Sequence, residues 1–422
     1  NGALLYMDTL GLRIRQLRKR QKLTLEALAG NKLTKGMLSL IENGKAQPSM
    51  ESLSYIAQQL GVESSELMED VSPTEKRTVL EKAEKLYKVV FSELTDEHKQ
   101  IVELINPIAD KLTLSYESAR LLDLYSRSGY HSKHEDWNSY YNRAMEMYEQ
   151  LHLYNQSASL ALFRGMIQFT AHRYEEALAI ILQEHARFDS PFDAMTTIEY
   201  LYCESLLFSA VGNYEQAQIK MKEALNFSKG ERIFYRIDDL YRLACFQAMI
   251  NGNEEDRSYY LQKVRQYGEF AENKYSTAIA EFLEAHFHNS FTHDYHKANV
   301  HIERFLELGK EINTGKANKE ENNNHYLLEK GKVLYGLGQF KEALPMLTKY
   351  EKPTYLHHPY DLSMAFEVHS YRALCYAQLG DQEKAMKESK IGHDLITELP
   401  DTPYKKFIVQ TYTDLQKSSD SI

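Results

Sequence analysis

One short signature recurs six times along the later part of this 422-residue chain. Each copy opens with glycine or histidine, most copies have an aromatic residue at the third position, and all but one have alanine at the sixth. The copies are His172–Ala177, Gly212–Ala217, Gly252–Arg257, His293–Ala298, Gly338–Ala343 and Gly380–Ala385. Their sixth positions lie 40, 40, 41, 45 and 42 residues apart. A period of this length restricts the chain to an array of similar units, each packed against its neighbours.

The signature predicts a pair of helices in each unit, because the opening residue turns the chain and the alanine lets two helices approach closely. Small residues also stand upstream, where the helices should cross, at Gly165, Ser205, Cys245, Gly331 and Ala373. His286 and Arg257 depart from these two rules. The pattern resembles tetratricopeptide repeats, although its period exceeds the usual ~34 residues, so we expect longer helices. The resemblance implies an all-α fold with a right-handed superhelix, here over residues 106–418, with six clear repeats and candidates for two or three degenerate ones.

A second pattern lies between residues 23 and 49. Thr24 and Thr34 can each cap a helix, because a threonine hydroxyl accepts hydrogen bonds from the free amides of the first turn. Leu38 and Ile41, three residues apart, would form the buried face of the second helix. The segment therefore predicts two short helices joined by a turn, the arrangement that places a helix in the major groove of DNA.

In such a motif the second helix meets base edges, and neighbouring residues contact phosphates. The residues that we predict to contact DNA are Arg18, Lys22, Thr24, Thr34, Lys35, Gly36, Met37, Ser39, Asn43 and Lys45. By helical phase, Lys35 and Ser39 share the exposed face. Residues 11–67, with the runs LTLEALAG and IENGK, resemble the Xre/Cro-type helix-turn-helix family. Leu25 and Leu40 depart from that family's pattern, since polar residues are common at both positions.

The charge distribution supports DNA as the partner of this segment. Between Asp8 and Lys45 there are nine basic and three acidic residues, a balance of +6 in a chain whose net charge is −10. A basic segment in an acidic chain is the electrostatic footprint expected for phosphate binding. The alternative is a helix-turn-helix fold that is used for protein contacts.

The length of the chain predicts two or three domains. We expect a DNA-binding domain at residues 7–70, a linker helix at residues 71–105 and the repeat domain at residues 106–418. The linker is expected to be amphipathic, with apolar residues that recur every three or four positions as far as Val90 and Phe91. No apolar run approaches the ~20 residues of a membrane-spanning helix, so we expect a cytoplasmic protein.

The first helices of stacked hairpins line the inner wall of a repeat array, and such a wall commonly binds an extended peptide. Charged, aromatic and amide side chains fall on these inner positions, and an asparagine amide can pair with both groups of a peptide backbone. The residues that we predict to bind a peptide are Arg127, Glu199, Tyr202, Arg236, Asp239, Arg242, Asn273, Asn324, His325 and Glu367. Internal ion pairs, such as Arg236 with Asp239, are the alternative.

The order of a helix-turn-helix domain, a linker helix and a repeat domain resembles the peptide-responsive quorum-sensing regulators of Gram-positive bacteria, the RRNPP family. The resemblance implies a transcriptional regulator that binds a double-stranded DNA operator and a short signalling peptide re-imported into the cell. It also implies a homodimer or tetramer whose assembly responds to the peptide. Some relatives act on a sporulation response regulator, so a repeat domain that docks a protein partner is the alternative function.

The sequence contains no phosphate loop, dinucleotide fingerprint or nucleophile motif, so we predict neither an enzyme nor a cofactor. The histidine-rich segment 286–301 invites a metal interpretation. His286 and His288 are two residues apart, however, and would point to different faces of a helix. We therefore expect no metal site. The three cysteines form no C-x-x-C pair and are expected in the core.

Two segments between the helical patterns are expected to be loops. Residues 127–136 are polar, and residues 309–324 include a stretch without apolar residues between Ala317 and Tyr326. A polar stretch of this kind cannot bury enough apolar surface to order itself. We expect the second segment to be a mobile surface loop, either a tolerated insertion or a contact loop.

Overall fold

The structure, a computed structural model, describes residues 2–68, 71–87, 96–187, 192–312 and 316–420. The regular secondary structure of these residues is helical, so the all-α prediction is confirmed. The chain divides into two compact units, Asn1–Leu160 and Ala161–Ile422. The finer division at residues 70 and 105 stays a prediction. Over the described ranges, no helix is both long enough and apolar enough to cross a bilayer.

The described helices of the first unit are α1 Gly2–Arg20, α2 Leu25–Ala29, α3 Lys35–Glu42, α4 Met50–Leu60, α5 Ser64–Met68, α6 Pro73–Tyr87, α7 Asp96–Ala109, α8 Tyr116–His131 and α9 Trp137–Gln150. Helix α10, Tyr154–Thr170, crosses the boundary between the units. The predicted linker helix corresponds to α6 and most of α7. Its central part, residues 88–95 with Val90 and Phe91, lies outside the described residues.

Helices α1 to α5 surround one apolar core, and the predicted inner residues Leu38 and Ile41 of α3 lie in it with exposures of 0% and 2%. Helix α1 passes very close to the end of α3. A Cβ atom on Gly11 would lie 2.2 Å from the carbonyl oxygen of Ile41, so only glycine fits this crossing. The close approach explains why a glycine can stand inside the first helix, where it otherwise costs helix stability.

The described helices of the second unit, after the end of α10, are α11 Tyr174–Arg187, α12 Ala194–Ala210, α13 Tyr214–Gly230, α14 Ile237–Ile250, α15 Glu254–Phe270, α16 Lys274–Phe287, α17 Tyr295–Glu311, α18 Lys316–Gly336, α19 Phe340–Lys349, α20 Pro359–Gln378, α21 Gln382–Ile396 and α22 Pro403–Asp420. A π-helical turn, His288–Thr292, follows α16. The six copies of the signature start the second helix of successive hairpins, so the predicted hairpin repeat is confirmed.

The opening position of every copy adopts a left-handed backbone conformation. Its φ angle is 61° at His172 and 54° at His293, and lies between 69° and 85° at the four glycines. Glycine reaches this conformation without strain, which accounts for its prevalence in the signature. Lys133 and His152 have φ angles of 59° and 56° in the turns before α9 and α10. The same turn therefore occurs upstream, where we predicted degenerate repeats.

The small residues predicted at the helix crossings lie between paired helices. The hydroxyl of Ser205 donates to the carbonyl oxygen of Ala217 at 2.7 Å, and the Sγ atom of Cys245 lies 3.6 Å from the carbonyl oxygen of Arg257. All three cysteines are free and buried, as predicted. A larger side chain at these positions would force the two helices apart.

Arg257, which replaces an alanine of the signature, is accommodated by a specific set of contacts. Its guanidinium stacks 3.8 Å from the ring centroid of Phe287, and its Nη1 atom lies 2.9 Å from a carboxylate oxygen of Glu284. A flat guanidinium can pair with a carboxylate and stack on an aromatic ring at the same time. The departure from the repeat pattern is thus compensated by its neighbours.

Both loop predictions require correction. Helix α8 continues to His131, so Arg127 is helical rather than part of a polar loop. Helix α18 begins at Lys316, so residues 316–324 are helical as well, while residues 313–315 lie outside the described residues. The second error came from the absence of apolar residues, although alanine, lysine and glutamate form helices readily without an apolar face.

Candidate nucleic-acid interface and ligand cavity

Helix α3 presents several of the predicted DNA-contacting residues on its surface. Lys35, Gly36 and Met37 in its first turn are exposed, and Ser39 is partly exposed. No atom lies within 4 Å of the position that a Cβ atom on Gly36 would occupy, so a ligand can approach the backbone there. This surface fits the predicted role of α3 as the helix that enters the major groove.

Threonine caps fix where the two motif helices begin. The Oγ1 atom of Thr24 accepts from the amide of Ala27 at 3.1 Å, and that of Thr34 accepts from the amide of Met37 at 3.1 Å. Both capping predictions are confirmed. Because each hydroxyl already accepts one amide, the local contribution of these residues is to hold the helix N-termini in place.

The end of α3 is also held by side-chain contacts. The Nδ2 atom of Asn43 donates to the carbonyl oxygen of Ser39 at 2.7 Å, and Gly44 takes a φ angle of 69°. Asn43 and Lys45 are exposed beside this turn, where phosphate contacts were predicted. The turn therefore leaves the Lys45 ammonium at the surface and uses one amide group of Asn43 internally.

Lys35 forms an ion pair with Glu26 of α2, and both side chains are largely exposed. The Lys35 ammonium lowers the pKa of the Glu26 carboxyl, mainly through a side-chain hydrogen bond. An exposed pair of this kind is screened by salt and holds its members weakly. The pair holds the Lys35 side chain beside α2, and a ligand group that binds the ammonium more strongly than Glu26 would displace it.

Arg18 and Lys22, two of the residues predicted to contact DNA, differ sharply in their surroundings. Arg18 is 11% exposed, and its Nε atom lies 2.6 Å from the carboxylate of the buried residue Glu42. Its Nη1 atom donates to the carbonyl oxygen of Leu23 at 2.9 Å. Lys22 is exposed, and its ammonium is bonded to no described residue. Arg18 thus links α1 to the end of α3, whereas the exposed Lys22 ammonium could contact a phosphate.

The second unit contains a cavity of about 290 Å³ among the first helices of successive hairpins. Its lining comes from α12, the start of α13, α14, α16, α18 and the residues around the start of α20. Four of the predicted peptide-binding residues lie in its wall, namely Tyr202, Asp239, Arg242 and His325. The structure therefore brings together a part of the predicted set.

Three hydrogen bonds join distant hairpins beside this cavity. The hydroxyl of Ser209 lies 2.8 Å from the Nε2 atom of His358. The hydroxyl of Tyr214 donates to the carbonyl oxygen of Asp401 at 2.8 Å, and that of Tyr174 donates to the carbonyl oxygen of His357 at 2.8 Å. These hydrogen bonds join residues more than 140 positions apart in the sequence. Two of these bonds involve residues of the cavity wall, namely Ser209 with His358, and Tyr214.

A network of charges covers the wall formed by α14. Arg236 makes a bidentate contact with Glu199, at 3.0 and 3.1 Å, and a further bond to Asp239 at 2.9 Å. Arg242 pairs with Asp239 as well. The guanidinium of Arg236 also lies 5.1 Å from the ring centroid of Tyr202. The internal ion pair that we named as the alternative for Arg236 is therefore present.

The other predicted peptide residues are used elsewhere, outside the lining of the cavity. Asn273 caps α16, since its Oδ1 atom accepts from the amide of Tyr275 at 3.0 Å. The Oδ1 atom of Asn324 accepts from the amide of Glu351 at 3.2 Å. Both amide oxygens are thus already engaged by backbone. Asn324 also lies within α18 rather than ahead of a helix, which corrects its predicted position.

Arg127 and Glu367 belong to two buried networks. In the first unit, the Nε atom of Arg127 lies 2.5 Å from the carboxylate of the buried residue Asp123. In the second unit, Glu367 is 3% exposed and lies 2.6 Å from the Nζ atom of Lys332, which is fully buried. A charge that is paired in the interior is not free to clamp a ligand without breaking the pair.

Several polar residues of the cavity wall were not predicted from the sequence, among them Gln247, His358 and Asp361. Burial lowers the pKa of His358 to about 4 and raises the pKa of Asp361 to about 6. The Oε1 atom of Gln247 and the Nε atom of Arg242 are buried without a hydrogen-bond partner. Gln247 could have been found from the sequence, because it lies one helical turn after Leu243 and on the same face of α14. His358 and Asp361 could not have been found in this way, because they reach the cavity only through the packing of a later hairpin.

Metal binding finds no support among the described residues, where no group of three or more histidine, cysteine or acidic side chains is arranged to hold an ion. In the histidine-rich segment, His286 is buried between Glu329 and Tyr404, with ring nitrogens 2.9 and 2.8 Å from them. His288 stacks on His301 at 5.9 Å between ring centroids. The two residues therefore have separate surroundings.

Residues 14–67 match a family model described as helix-turn-helix. The matched segment contains α2 and α3 together with their caps and core. This match confirms the helix-turn-helix prediction for that part of the chain. A comparison with curated proteins gives no match.

Several solved structures are similar to the chain. PlcR of Bacillus thuringiensis, in complex with a peptide and DNA, is 18% identical, covers 65% of this chain and 99% of its own, and has a TM-score of 0.37. ComR of S. thermophilus, in complex with DNA and its signalling peptide, is 18% identical, covers 64% and 97%, and has a TM-score of 0.32. A tetratricopeptide repeat protein from Parabacteroides merdae is 13% identical, covers 76% and 100%, and has a TM-score of 0.43. At these TM-scores, none of the three supports an inference about partners.

Proposed function

We propose that this protein is a DNA-binding transcriptional regulator whose activity and assembly are switched by a short signalling peptide bound in its repeat domain. The observation that carries the proposal is the presence, in one chain, of a helix-turn-helix with an exposed second helix and of a partly polar cavity between helical hairpins. The sequence resemblance to the RRNPP family supports the same function. No catalytic group is required.

DNA binding is supported by surface chemistry as well as by the motif. Lys35, Ser39 and Gly36 stand where base edges would be met, and Lys22 and Lys45 are exposed cations on the flanking turns. Side chains at the start of the second helix read bases, whereas flanking lysines bind any DNA through its phosphates. Arg18 contributes indirectly, because it holds α1 against the end of α3 through Glu42.

Peptide binding is supported by the composition of the cavity wall. Aromatic rings such as Tyr202, Phe246 and Tyr275 surround a small number of polar groups, which is the usual composition of a ligand site. The cavity volume of about 290 Å³ suits one or two side chains of a peptide rather than a whole peptide. The remaining residues of the ligand would lie along the first helices, after the contacts of Tyr214 and His358 open.

In the mechanism that we propose, two copies of the chain bind a two-fold operator, and the peptide shifts the equilibrium between assemblies. A ligand can shift this equilibrium only as far as its affinities for the two states differ. We propose that the protein forms a homodimer or a tetramer and that it binds a double-stranded DNA operator. At its most specific, the proposal is that this protein is a relative of the neutral protease regulator of Bacillus. The runs LTLEALAG, LTKGMLSLIENGKA and PSMESL resemble that regulator.

The second candidate function is a repeat domain that docks a protein, for example a response regulator in the peptide-free state. One observation favours it. Phe234, Tyr235 and Phe270 lie beside the turns that join hairpins, with exposures of 54%, 56% and 90%. Exposed aromatic residues are enriched at protein interfaces. In this function the outer turns would carry the contact, and the cavity would be incidental.

The test uses the full chain and synthetic peptides that correspond to short secreted reading frames next to its gene. Calorimetry gives the affinity, light scattering the mass, and fluorescence anisotropy the binding of promoter DNA. Leu243→Trp, which fills the cavity, should abolish peptide binding, whereas Ile219→Trp on the exposed face of α13 should preserve it. Promoter binding that ignores every peptide, together with capture of a response regulator, would favour the docking function instead.

A further inference from the structure

The side chain of Asp361 faces the cavity from the first turn of α20. Within the described part of the chain, no hydrogen bond or ion pair engages its carboxylate, and the side chain is only partly exposed. The start of α20 is capped by His358, whose Nδ1 atom accepts from the amide of Tyr360 at 3.2 Å. Asp361 is therefore not needed as the cap of its own helix.

The charges in the cavity wall do not balance. Apart from the histidines His325 and His358, the charged residues of the wall are two aspartates, Asp239 and Asp361, and one arginine, Arg242, whose formal charges sum to −1. Arg242 is already bound to Asp239, which Arg236 also contacts. The unbalanced charge thus belongs to Asp361. A partly buried carboxylate without a hydrogen-bonded partner costs folding free energy, which His325 and the N-terminus of α20 offset in part and a cationic ligand group would offset further.

Other groups of the wall complement a positive charge. The Oε1 atom of Gln247 is a buried acceptor without a partner, while the amide nitrogen of the same side chain donates to Ser205 at 3.3 Å. Aromatic rings line the same cavity, among them Tyr202, Phe246 and Tyr360. The faces of aromatic rings attract cations, and an ammonium group offers three donors to carboxylate and amide oxygens.

We propose that Asp361 receives a primary ammonium group of the ligand, either the α-amino end of a peptide or a lysine side chain. This inference rests on the proposed function, because the ammonium group belongs to the peptide that is proposed to bind in the same cavity. The ammonium would bond to the Asp361 carboxylate, Gln247 would accept a further hydrogen bond, and the rings would cover the adjoining methylene groups. The structure thereby assigns a specificity-determining residue that the sequence pattern did not indicate.

The test compares three libraries of random heptapeptides that lack arginine. The first has a free α-amine and no lysine, the second is acetylated and contains one lysine, and the third is acetylated without lysine. Each is added to the full chain, to Asp361→Asn and to Glu398→Gln, which removes an exposed carboxylate of the same unit. Thermal shift detects binding, and calorimetry on selected peptides measures it. Phenethylamine and N-acetylphenethylamine are small probes that do not depend on a peptide.

We expect at least one amine-bearing library to stabilise the wild-type chain, and the acetylated library without lysine to have no effect. Asp361→Asn should weaken amine binding about tenfold or more, because a charge-assisted hydrogen bond is lost, while Glu398→Gln should match the wild type. The library that binds shows whether the amine comes from the peptide end or from lysine. Folding of Asp361→Asn is checked by its own melting curve without ligand.

Two outcomes separate this inference from the proposed function. Peptides that bind equally well with or without an amine, and equally well to Asp361→Asn, would overturn the inference and leave the peptide-switched regulator intact. Phenethylamine bound through Asp361, with all three libraries silent, would support the ammonium site and count against a peptide as the ligand. Silence of every library and of phenethylamine would overturn both.

Discussion

Arg18 and Glu42 form a bidentate ion pair, with Nε to Oε1 at 2.6 Å and Nη2 to Oε2 at 2.8 Å. The pair joins the end of α1 to the end of α3, and the Glu42 side chain is only 4% exposed. Hydrogen bonding to Glu42 raises the pKa of Arg18, which keeps the guanidinium charged. A residue that would be assigned to phosphate binding from its charge alone thus fixes the position of α3, the second helix of the motif.

The first prediction concerns this pair. Arg18→Ala leaves a buried carboxylate without its partner, and loss of one member of a buried pair costs about 3 kcal/mol or more. We expect faster hydrogen exchange in α1 and α3 and a lower unfolding temperature of this segment. Lys22→Ala should leave both unchanged and weaken binding to all DNA sequences. Equal exchange rates in Arg18→Ala and wild type would show that the pair contributes little.

The second prediction separates sequence reading from phosphate binding. Lys35→Ala and Ser39→Ala should reduce the preference for the operator over random DNA, by roughly 1–3 kcal/mol for a side chain that contacts a base. Lys45→Ala should weaken both kinds of DNA alike and reduce the salt dependence of binding by about one ion. Anisotropy titrations at several salt concentrations measure both quantities. The assignment fails if Lys35→Ala keeps full preference for the operator.

The third prediction concerns pH. Burial raises the pKa of Asp361 from 3.8 to about 6, although the imidazole of His325, from α18, acts in the opposite direction. Because the pKa in the folded state lies above that in the unfolded state, the folded unit gains stability from this group as pH falls through about 6 towards 4. Above this range, the ionised carboxylate lowers the stability of the protein without ligand.

The variant Asp361→Asn isolates this contribution. It should melt at a higher temperature than wild type near pH 8, and the difference should shrink towards about pH 5 as Asp361 becomes protonated. Asp239 and Arg242, across the cavity, are unchanged in both proteins, so they cancel in the comparison. Amine binding by the wild type should weaken over the same pH range. A difference in melting temperature that does not vary with pH would contradict the assigned titration.

The fourth prediction concerns the buried charges around Lys332. Its Nζ atom lies 3.1 Å from Glu329 and 2.6 Å from Glu367, and Glu329 also bonds to His286 at 2.9 Å. Lys332→Met would leave two buried carboxylates without their cation, at a cost of about 3–5 kcal/mol. We expect the variant to unfold at a much lower urea concentration than the wild type. Lys341→Met, at an exposed position of α19, is the control and should unfold like the wild type.

The sequence by itself determined the two kinds of helical unit. Thr24 and Thr34 as caps, Leu38 and Ile41 as inner residues, and the left-handed turns of the repeats were legible because each depends on contacts within a few residues. Capping bonds and helical periodicity are local, so residue type and spacing are enough to predict them. The extents of α8 and α18 were the exceptions, and at α18 helix propensity without an apolar stripe gives no periodic signal.

Only the tertiary structure decided which polar residues face the cavity. Of the predicted peptide set, Tyr202, Asp239, Arg242 and His325 line the cavity. Glu367 and Arg127 are held by partners that the sequence pattern could not name, and Asp361 enters the same cavity from a helix far along the chain. A charged side chain looks alike in the sequence whether it is paired or unpaired. The pairing depends on the distance between helices of different hairpins, which is set by the packing of the whole array.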